Sequence, residues 1–367
     1  MTHLNSEQRY DTVVVGGGQA GLAVGHYLAQ QGQDFAILDA GERAGDVWRG
    51  HWDSLKLFTP ARYSGLPGLP FPASGDYYPT KDEMADYLQT YADRFDLPVR
   101  SGVRVESLTS ERGRYVLASN AGWFEAENVV VAIGPGQRPK VPGFAADLDP
   151  EVLQLHSSDY KNPGQLPEGN VLVVGAGNSG AEISVELAGS GRRVWLAGRD
   201  VGRIPAFGSR LSWWVYSTVL TADSRLGRKF GEIVKGGGTP LIRLMPKDML
   251  RAGVERVPRM KGVVDGKPRL EDGRVLNVEA VVWATGFGPD FGWIELPILG
   301  KDGYPVHHRG VAQGEPGLYF LALPFQHTLT SVLIGGAGAD ARYVAEHLRS
   351  RDESGAPHRR FGYAVAG

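Results

Sequence analysis

Two apolar segments of the chain are each followed by a glycine-rich turn and then by a longer stretch with helical spacing. The segments at residues 11–15 and 171–174 consist mainly of valine and leucine. Short apolar runs bounded by glycine are typical of strands buried on both faces of a parallel sheet. The stretches 19–31 and 178–189 predict the helices that follow. The pattern therefore predicts two strand–turn–helix units.

The elements after each unit repeat as well. A second strand is predicted at 35–39 in the first unit and at 193–197 in the second, and short β-rich segments then precede a closing apolar strand. The closing strands end at Gly134 and Gly286, which are 152 residues apart (286 − 134). This order predicts an α/β fold with two Rossmann-like dinucleotide-binding domains, the second inserted in the first.

The two turns share the spacing G-x-G-x-x-G, which suits the binding of a pyrophosphate. The first glycine permits the tight turn, the second admits the pyrophosphate to the backbone, and the third lets the helix pack on the strand. The glycines are Gly16, Gly18 and Gly21 in the first turn, and Gly175, Gly177 and Gly180 in the second. One such motif is weak evidence in a chain with 51 glycines. Two in the same context predict two bound dinucleotides.

The residues at the ends of the second strands distinguish the two units. Asp39 ends this strand in the first unit, where a carboxylate can accept a hydrogen bond from a ribose 2′-hydroxyl. Arg199 follows the corresponding strand of the second unit, and a guanidinium pairs with a 2′-phosphate that a carboxylate would repel. We therefore predict FAD in the first unit and NADPH in the second. A solvated surface arginine is the alternative role for Arg199.

Composition excludes some partners and locations. The chain has 367 residues, 22% of them charged and 42% hydrophobic, as in a globular protein of two or three domains. The formal net charge of −2 gives no reason to expect a nucleic-acid partner. No apolar run approaches the length of a membrane span, and the first ten residues are polar rather than a signal peptide. A cytoplasmic location is therefore expected.

The sequence contains no cysteine, and this excludes one class of chemistry. Two-dinucleotide flavoproteins often pass electrons to a disulfide formed by a CxxC-type pair, which this chain cannot form. Electrons that reach a flavin here must leave to oxygen, to a bound substrate or to a separate carrier.

Proline- and glycine-rich segments after each closing strand indicate crossovers between the domains. We predict an FAD-binding domain at residues 1–144 and 289–367. An NADPH-binding domain is predicted at 151–288, with a helical insertion at about 205–250. The returning chain is expected to add a strand and a helix to the FAD-binding domain. These are predicted at 318–323 and at about 338–349.

Further segments resemble the flavin-containing monooxygenases (class B flavoprotein monooxygenases), most closely the YUCCA-like bacterial branch. The resemblance covers nearly the whole chain. It rests on residues 45–49 (GDVWR), 52–55 (WDSL), 78–79 (YP), 87–92 (YLQTYA), 156–160 (HSSDY) and 284–287 (ATGF). It implies a glutathione-reductase-like, three-layer ββα architecture, with the NADPH domain inserted in the FAD domain.

The chain departs from the family pattern at several positions. The Phe and Gly of the family identifier fall on Pro150 and Val152. Tyr160 rather than Trp ends that motif, which argues against the Baeyer–Villiger subclass. Phe58 stands where animal members carry an active-site Asn. His156 is expected to be a capping or linker residue that orders the hinge, not a catalytic base.

The resemblance implies an NADPH-dependent FAD monooxygenase. In such an enzyme NADPH reduces FAD, the reduced flavin forms a C4a-(hydro)peroxyflavin with O₂, and a small nucleophilic substrate (N, S or 2-oxo acid) is oxygenated. The cofactor carries the reaction, and no metal-ligand spacing is found. Two alternatives share the cofactor motifs. One is a flavin reductase that passes electrons to a ferredoxin or quinone, and the other is a non-catalytic flavoprotein.

The motifs and the resemblance together give candidate site residues. For FAD these are Gly16, Gly18, Gln19, Ala20, Gly21, Asp39, Trp48 and Arg49. For NADP they are Gly175, Gly177, Asn178, Ser179, Gly180, Arg199, Thr285 and Gly286. Catalytic candidates beside the flavin are Gln326 and His327. The alternative for Trp48 and Arg49 is a role in the core, and for Asn178 and Ser179 it is helix capping. For Gln326 and His327 the alternative is an ordinary polar loop.

The predicted insertion contains adjacent tryptophans, Trp213 and Trp214. A substrate lid, a membrane-surface contact, a buried helix and a subunit interface all fit such a pair. Paired tryptophans are more common in cores and interfaces, so we expect one of these, and a homodimer is possible. The sequence leaves the substrate open.

Overall fold

The computed structural model describes residues 8–204, 207–229, 231 and 240–353. Its helices are α1 Gln19–Gln30, α2 Asp46–Arg49, α3 Lys81–Arg94, α4 Asn178–Gly189, α5 Arg210–Trp214, α6 Pro246–Arg251 and α7 Ile334–Glu353. Its strands are β1 Arg9–Val15, β2 Phe35–Leu38, β3 Val99–Arg100, β4 Val105–Glu111, β5 Arg114–Ser119, β6 Gly122–Val131, β7 Arg138–Pro139, β8 Leu153–His156, β9 Val171–Val174, β10 Val194–Ala197, β11 Glu255–Val257, β12 Met260–Val264, β13 Lys267–Leu270, β14 Ala280–Trp283, β15 Phe287–Gly288, β16 His307–His308, β17 Val311–Ala312 and β18 Leu318–Phe320. Short turns of other helix types lie at Ala61–Tyr63, Gly143–Asp147, Pro163–Gln165, Val215–Val219 and Leu329–Val332.

The first sheet has a parallel core in the order β18-β6-β1-β2-β3. Val131 of β6 pairs with Val15 of β1 on one side and with Phe320 of β18 on the other. The carboxyl ends of these three strands therefore lie side by side. The β16–β17 hairpin extends the sheet beyond β18, and β4 and β5 form an antiparallel meander with β6.

The second sheet has five parallel strands in the order β11-β10-β9-β14-β8. Val174 of β9 pairs with Ala197 of β10 and with Trp283 of β14, which in turn pairs with His156 of β8. The loops after these strands therefore share one edge of the sheet. The β12–β13 hairpin packs with this domain through a separate apolar cluster.

The buried faces of the first sheet confirm a three-layer arrangement. Val14 and Ile37 face a core that includes Leu22 of α1. Val13 faces the opposite core, which Leu117 of the meander fills. Alternate strand residues thus point to a helix layer on one side and a β layer on the other, as the period of a strand requires.

The two crossovers between the sheets are paired with each other. β7 and β15 form a two-stranded antiparallel ladder, and the Lys140 amide donates to the Gly286 carbonyl at 2.9 Å. The strands of the first sheet lie before and after this ladder, and those of the second sheet lie between its two strands. We propose this ladder as the boundary between the predicted domains at 1–144 with 289–367 and at 151–288.

The ends of β1, β2, β10 and α1 differ from the sequence expectation by one or two residues, and three further elements differ as well. β6 runs from Gly122 through to the closing strand, and within it the buried Asn128 side chain donates to the Asp11 carbonyl at 3.3 Å. β18 ends at Phe320, before the left-handed φ of 61° at Ala322. α7 begins at Ile334, four residues earlier than expected (338 − 334), directly after a short helical turn.

The tryptophan pair of the insertion divides between two environments. Trp213 stacks on Tyr63, with ring centroids 4.3 Å apart and an interplanar angle of 6°. Trp214 is 57% exposed. Trp213 is therefore partly buried against the protein, and Trp214 faces solvent.

No helix in the described part of the chain combines the length and the apolar character that a membrane crossing needs. The cytoplasmic location and the homodimer stay predictions.

Candidate dinucleotide-binding sites

The first glycine loop connects β1 to α1 and leaves its middle glycine open. A Cβ on Gly16, whose φ is 107°, would lie 2.6 Å from the Ala132 carbonyl oxygen. A Cβ on Gly21 would lie 1.8 Å from the Gly16 carbonyl oxygen. Protein packing alone therefore requires these two glycines. A Cβ on Gly18 would meet nothing within 4 Å, so this glycine keeps space free outside the protein.

The second loop, between β9 and α4, repeats this division. Cβ atoms on Gly175 and Gly180 would lie 2.1 and 1.8 Å from the carbonyl oxygens of Ala284 and Gly175. A Cβ on Gly177 would meet nothing within 4 Å. Protein packing therefore does not explain why the middle residue of each loop is glycine, whereas a group bound at the loop would explain it.

The helices after both loops begin without a side-chain cap. The N-cap residue of α1 is Gly18, with φ −77° and ψ −171°, and that of α4 is Gly177, with φ −77° and ψ −169°. Neither first turn contains an acid. The free N–H groups and the positive end of the helix dipole favour an anion at each position. The residues present therefore fit two pyrophosphates, with Gln19, Ala20 and Ser179 in the first turns.

Asp39 lies where the sequence places it, directly after β2. One carboxylate oxygen accepts a hydrogen bond from the Gly17 amide at 2.5 Å, and the other accepts from the Gly41 amide at 2.7 Å. These bonds hold the carboxylate against the first glycine loop. A carboxylate oxygen can accept a second hydrogen bond, so this position fits the predicted contact with a ribose hydroxyl.

Arg199 is exposed directly after Gly198, at the carboxyl end of β10. On the neighbouring strand β11, Nη2 of Arg256 donates to the Gly198 carbonyl at 3.1 Å. Two arginines therefore flank the end of the second strand, where the 2′-phosphate of NADPH is predicted. Sequence reasoning missed Arg256, because its approach depends on the pairing of β11 with β10.

Trp48 and Arg49 of α2 have different surroundings. Nε1 of Trp48 donates to Oε1 of Gln19 at 3.3 Å, which places the indole beside the first turn of α1. The Arg49 guanidinium instead pairs with Asp46 at 3.1 Å and with Asp86 of α3 at 2.8 Å. The tryptophan therefore reaches the first dinucleotide site. The contacts of the arginine are those of a structural residue that joins α2 to α3.

The Asn178 side chain neither caps α4 nor points to the loop, because it holds the returning end of the insertion. Its Nδ2 donates to the Pro240 carbonyl, and its Oδ1 accepts from the Ile242 amide, both at 3.0 Å. We call residues 240–243 the insertion strap. Its attachment to the first residue of α4 brings the strap beside the second dinucleotide site.

A buried ion pair fixes the same strap one turn further along α4. Nη2 of Arg243 lies 3.2 Å from Oε1 of Glu182, whose side chain is 7% exposed. Burial raises the pKa of Glu182 to about 7, and the Arg243 charge opposes this increase. The strap is therefore held by one amide and one carboxyl on the same face of the helix.

Thr285 and Gly286, predicted at the NADP site, take part in the crossover. The Thr285 hydroxyl donates to the Lys140 carbonyl. The buried His156 ring lies with Nε2 3.1 Å from the Gly286 carbonyl oxygen and Nδ1 2.9 Å from the Ser158 hydroxyl. His156 thus occupies the hinge between the two sheets, where the sequence expectation puts it.

Gln326 and His327 follow β18 at the carboxyl edge of the first sheet. Gln326 is 2% exposed, and its Oε1 accepts from the Leu323 amide at 3.3 Å. Nδ1 of His327 lies 3.9 Å from the Asp223 carboxylate of the insertion. Burial and the Arg309 charge lower the pKa of His327. Both side chains therefore lie in the loop after β18, and their catalytic role stays a prediction.

His51 lies beside Trp48, and sequence reasoning missed it. Its ring centroid lies 5.6 Å from that of Trp48 and 6.0 Å from that of Trp52. Burial, assisted by the charges of Lys161 and Lys81, lowers the pKa of His51 to about 4. The ring is therefore neutral at physiological pH. No motif marks this histidine, because the two lysines approach it from distant parts of the chain.

The two units also meet at a seam beside this histidine. The Asp53 amide donates to the Lys161 carbonyl at 2.8 Å, and Nδ2 of Asn162 donates to the Asp53 carboxylate at 2.8 Å. The seam thus joins the segment after α2 to the segment after β8. It links the region of the first dinucleotide site to the region of the second.

Two other features lie outside these sites. A surface groove of about 650 Å³ runs between the 61–73 segment, Trp213 and Gly335, and no residue of either glycine loop lines it. Among residues 8–204, 207–229, 231 and 240–353, no three His, Asp or Glu side chains converge as a metal site would require.

Two parallel sheets in one chain, each with an open pyrophosphate-type loop, define an oxidoreductase with two dinucleotide-binding units. A family model described as pyridine nucleotide-disulphide oxidoreductase matches residues 13–321, and the chain belongs to this family. It is accordingly a flavin-dependent enzyme.

Proteins that are similar over nearly the whole chain support this assignment. A CzcO-like oxidoreductase from Geobacillus kaustophilus is 42% identical, over 92% of this chain and 98% of that protein. The probable indole-3-pyruvate monooxygenase YUCCA9 from Arabidopsis thaliana is 30% identical, over 92% of this chain and 88% of that protein. The solved flavin-containing monooxygenase from Stenotrophomonas maltophilia has a TM-score of 0.75 and 26% identity, over 94% and 99% of the two chains. The predicted fold class and the resemblance to flavin-containing monooxygenases are confirmed.

Proposed function

We propose that the protein is an NADPH-dependent FAD monooxygenase that oxygenates a small nucleophilic substrate. The observation that carries this proposal is the pair of glycine loops with identical open geometry and different strand ends. Asp39 follows the strand of the first unit, whereas Arg199 and Arg256 flank that of the second. A carboxylate at the strand end suits a ribose hydroxyl, whereas arginines at the strand end suit a 2′-phosphate.

The chain's own residues would bind and orient the cofactors. The amides at the start of α1 would hold one pyrophosphate, with Asp39 at the ribose and Trp48 alongside. The amides at the start of α4 would hold the other, with Arg199 and Arg256 at the 2′-phosphate. A bound flavin would supply the electron transfer from the nicotinamide to O₂. The neutral His51 ring beside Trp48 can donate or accept a hydrogen bond at this position.

The substrate class is proposed from the relatives and from the absent thiols. The YUCCA9 relative is named for a 2-oxo acid, whose carbonyl carbon is electrophilic. Amines and sulfides are the nucleophilic classes that we also propose to test. Although the family takes its name from disulfides, this chain has no cysteine to carry that step. Oxygen and a small substrate are therefore the proposed destinations of the electrons.

The reaction is tested by NADPH oxidation and oxygen uptake with candidate amines, sulfides and 2-oxo acids. We expect one substrate class to increase NADPH oxidation and to gain one oxygen atom from isotopically labelled dioxygen. A flavin that NADPH reduces but oxygen does not reoxidise would contradict the proposal. Rapid reoxidation by a ferredoxin or a quinone would then identify the reductase alternative.

The coenzyme assignment predicts a selective effect of Arg199→Ala and Arg256→Ala. Each should raise the KM for NADPH roughly ten-fold or more and leave the KM for NADH nearly unchanged, since a charge-assisted hydrogen bond to phosphate is lost. Arg94→Ala, an exposed change on α3, is the matched control. Equal effects on both coenzymes would overturn the 2′-phosphate assignment.

A further inference from the structure

The outer face of the insertion helix is apolar and exposed. α5 continues into the π-helical turn Val215–Val219, so residues three to five apart share a face. Leu211, Trp214 and Val219 on this face are 72%, 57% and 40% exposed. Leu226, in the helical segment that follows, is 70% exposed. Exposed apolar clusters of this kind mark interaction sites more often than isolated side chains do.

The inner face of the same helix already anchors it to the body of the protein. Trp213 stacks on Tyr63, and the Tyr216 ring centroid lies 5.6 Å from that of Phe207. The inner side chains join the cluster that includes Leu329. Because these contacts hold the helix in place, the outer apolar side chains are not needed for the core.

Exposed cations lie in the same insertion segment. They are Arg210, Arg225, Arg228 and Lys229. Within the part of the chain that the structure describes, no ion pair joins any of them to an acid. The neighbouring acid Asp223 faces His308 at 3.3 Å and His327 at 3.9 Å instead. Residues 210–229 contain these four cations and one acid, Asp223, so this segment has a net charge of +3 (4 − 1).

We propose that this surface, formed by Leu211, Trp214, Val219 and Leu226 with the four cations, binds an anionic lipid membrane. Tryptophan and leucine insert at the boundary of headgroups and acyl chains, while arginine and lysine pair with lipid phosphates. A two-fold contact between copies of the chain would instead bring this positively charged segment against itself. Charge complementarity therefore selects the lipid surface, and the enzyme would lie on the membrane without crossing it.

Vesicle flotation of the full-length, FAD-loaded protein tests this surface. We expect the protein to float with phosphatidylcholine vesicles that contain phosphatidylglycerol, to stay behind with phosphatidylcholine alone, and to dissociate as salt is raised. Trp214→Ser should weaken binding roughly ten-fold, since a large apolar side chain no longer inserts. Trp123→Ser is the matched control, because Trp123 is 53% exposed on the distant β6 strand and should leave binding unchanged.

Charge variants test the pairing of the cations with lipid phosphates separately from the insertion of apolar side chains. Arg225→Gln and Arg228→Gln should each weaken binding about five-fold, and Arg94→Gln should have no effect. Flavin absorbance and the thermal midpoint report whether each variant is folded. Failure to float with either vesicle, or equal flotation with both, would overturn the proposal. So would a dimer in light scattering that Trp214→Ser converts to a monomer, because a second copy would then cover this face.

Discussion

At the scale of single residues, the two middle glycines separate ligand binding from folding. Alanine adopts the φ of −77° that both Gly18 and Gly177 have, and no protein atom lies within 4 Å of the added methyl group. We expect Gly18→Ala to lower FAD retention and Gly177→Ala to raise the KM for NADPH, each about ten-fold or more, because the methyl takes the place of the pyrophosphate. Thermal unfolding of the cofactor-free protein should hardly change.

Two further glycines provide the comparison for this prediction. Gly143→Ala also meets open space at an ordinary φ, outside both glycine loops, and should alter the binding of neither cofactor. Gly21→Ala would place a Cβ 1.8 Å from the Gly16 carbonyl oxygen and should prevent normal folding. A Gly18→Ala protein that purifies with a full complement of FAD would show that the open space is not the pyrophosphate site.

Asp340 of α7 predicts a pH dependence of stability. Its side chain is 3% exposed, and burial raises its pKa from 3.8 to about 6, although a hydrogen bond from Ser331 and the Arg309 charge oppose this. The unfolded chain therefore ionises this carboxyl first. The contribution of the protonated Asp340 to the free energy of unfolding is therefore largest below pH 4. It decreases by at most about 3 kcal/mol as pH rises to about 6.

Asp340→Asn isolates this contribution. The variant lacks the ionisation, so its stability relative to the parent should increase between pH 4 and pH 6 and then stay level. Urea unfolding midpoints at several pH values measure the difference. Asp147→Asn, at an exposed acid, is the control. A constant difference between Asp340→Asn and the parent across this range would show that Asp340 is ionised in the fold at low pH.

At the scale of elements, the insertion strap depends on one side chain of α4. Asn178→Ala would leave the Pro240 carbonyl and the Ile242 amide without their partner. We expect a loss of about 1–3 kcal/mol in unfolding free energy, and faster amide hydrogen exchange in the strap than elsewhere. Ser179→Ala, one residue further along the same helix, should leave strap exchange unchanged. Uniform exchange in both variants would exclude the strap role.

The elements that the sequence predicts best are those defined by neighbouring residues. β9 and α4 match their predicted bounds, because a valine-rich strand, a glycine turn and an amphipathic helix are encoded locally. β18 is shorter than predicted, because Ala322 leaves the strand conformation within an apolar run that gives no sign of it. Local sequence also does not reveal Arg256, which reaches the site only through strand pairing across a gap of some sixty residues.

At the scale of the whole molecule, the same loop geometry occurs in both sheets, but the residues around the two loops differ. The N-cap dihedral angles of Gly18 and Gly177 agree within 2°. The strand ends differ, and so do the segments that return to each site: the loop after β18 in one unit and the insertion strap in the other. The shared geometry fits a pyrophosphate at each loop, and the different later segments would allow the two sites to bind different dinucleotides.

The seam between the units predicts an acid limit to stability, opposite in sign to the effect of Asp340. The folded-state pKa of His51 is about 4, below its ordinary value of 6.5, so the unfolded chain takes up the proton first as pH falls. The contribution of the neutral His51 to the free energy of unfolding is therefore largest above pH 6.5. It decreases by at most about 3 kcal/mol as pH falls from 6.5 to 4. Acidification should therefore favour separation of the two units at this seam.

His51→Gln tests this limit, since glutamine is polar but does not titrate. Its urea unfolding midpoint should fall less steeply than that of the parent between pH 6.5 and pH 4. Some acid slope should remain, because burial also lowers the pKa of other histidines, namely His26, His156, His327 and His347. Identical slopes in His51→Gln and the parent would mean that His51 is solvated at the seam, and that the lysines on either side do not hold it neutral.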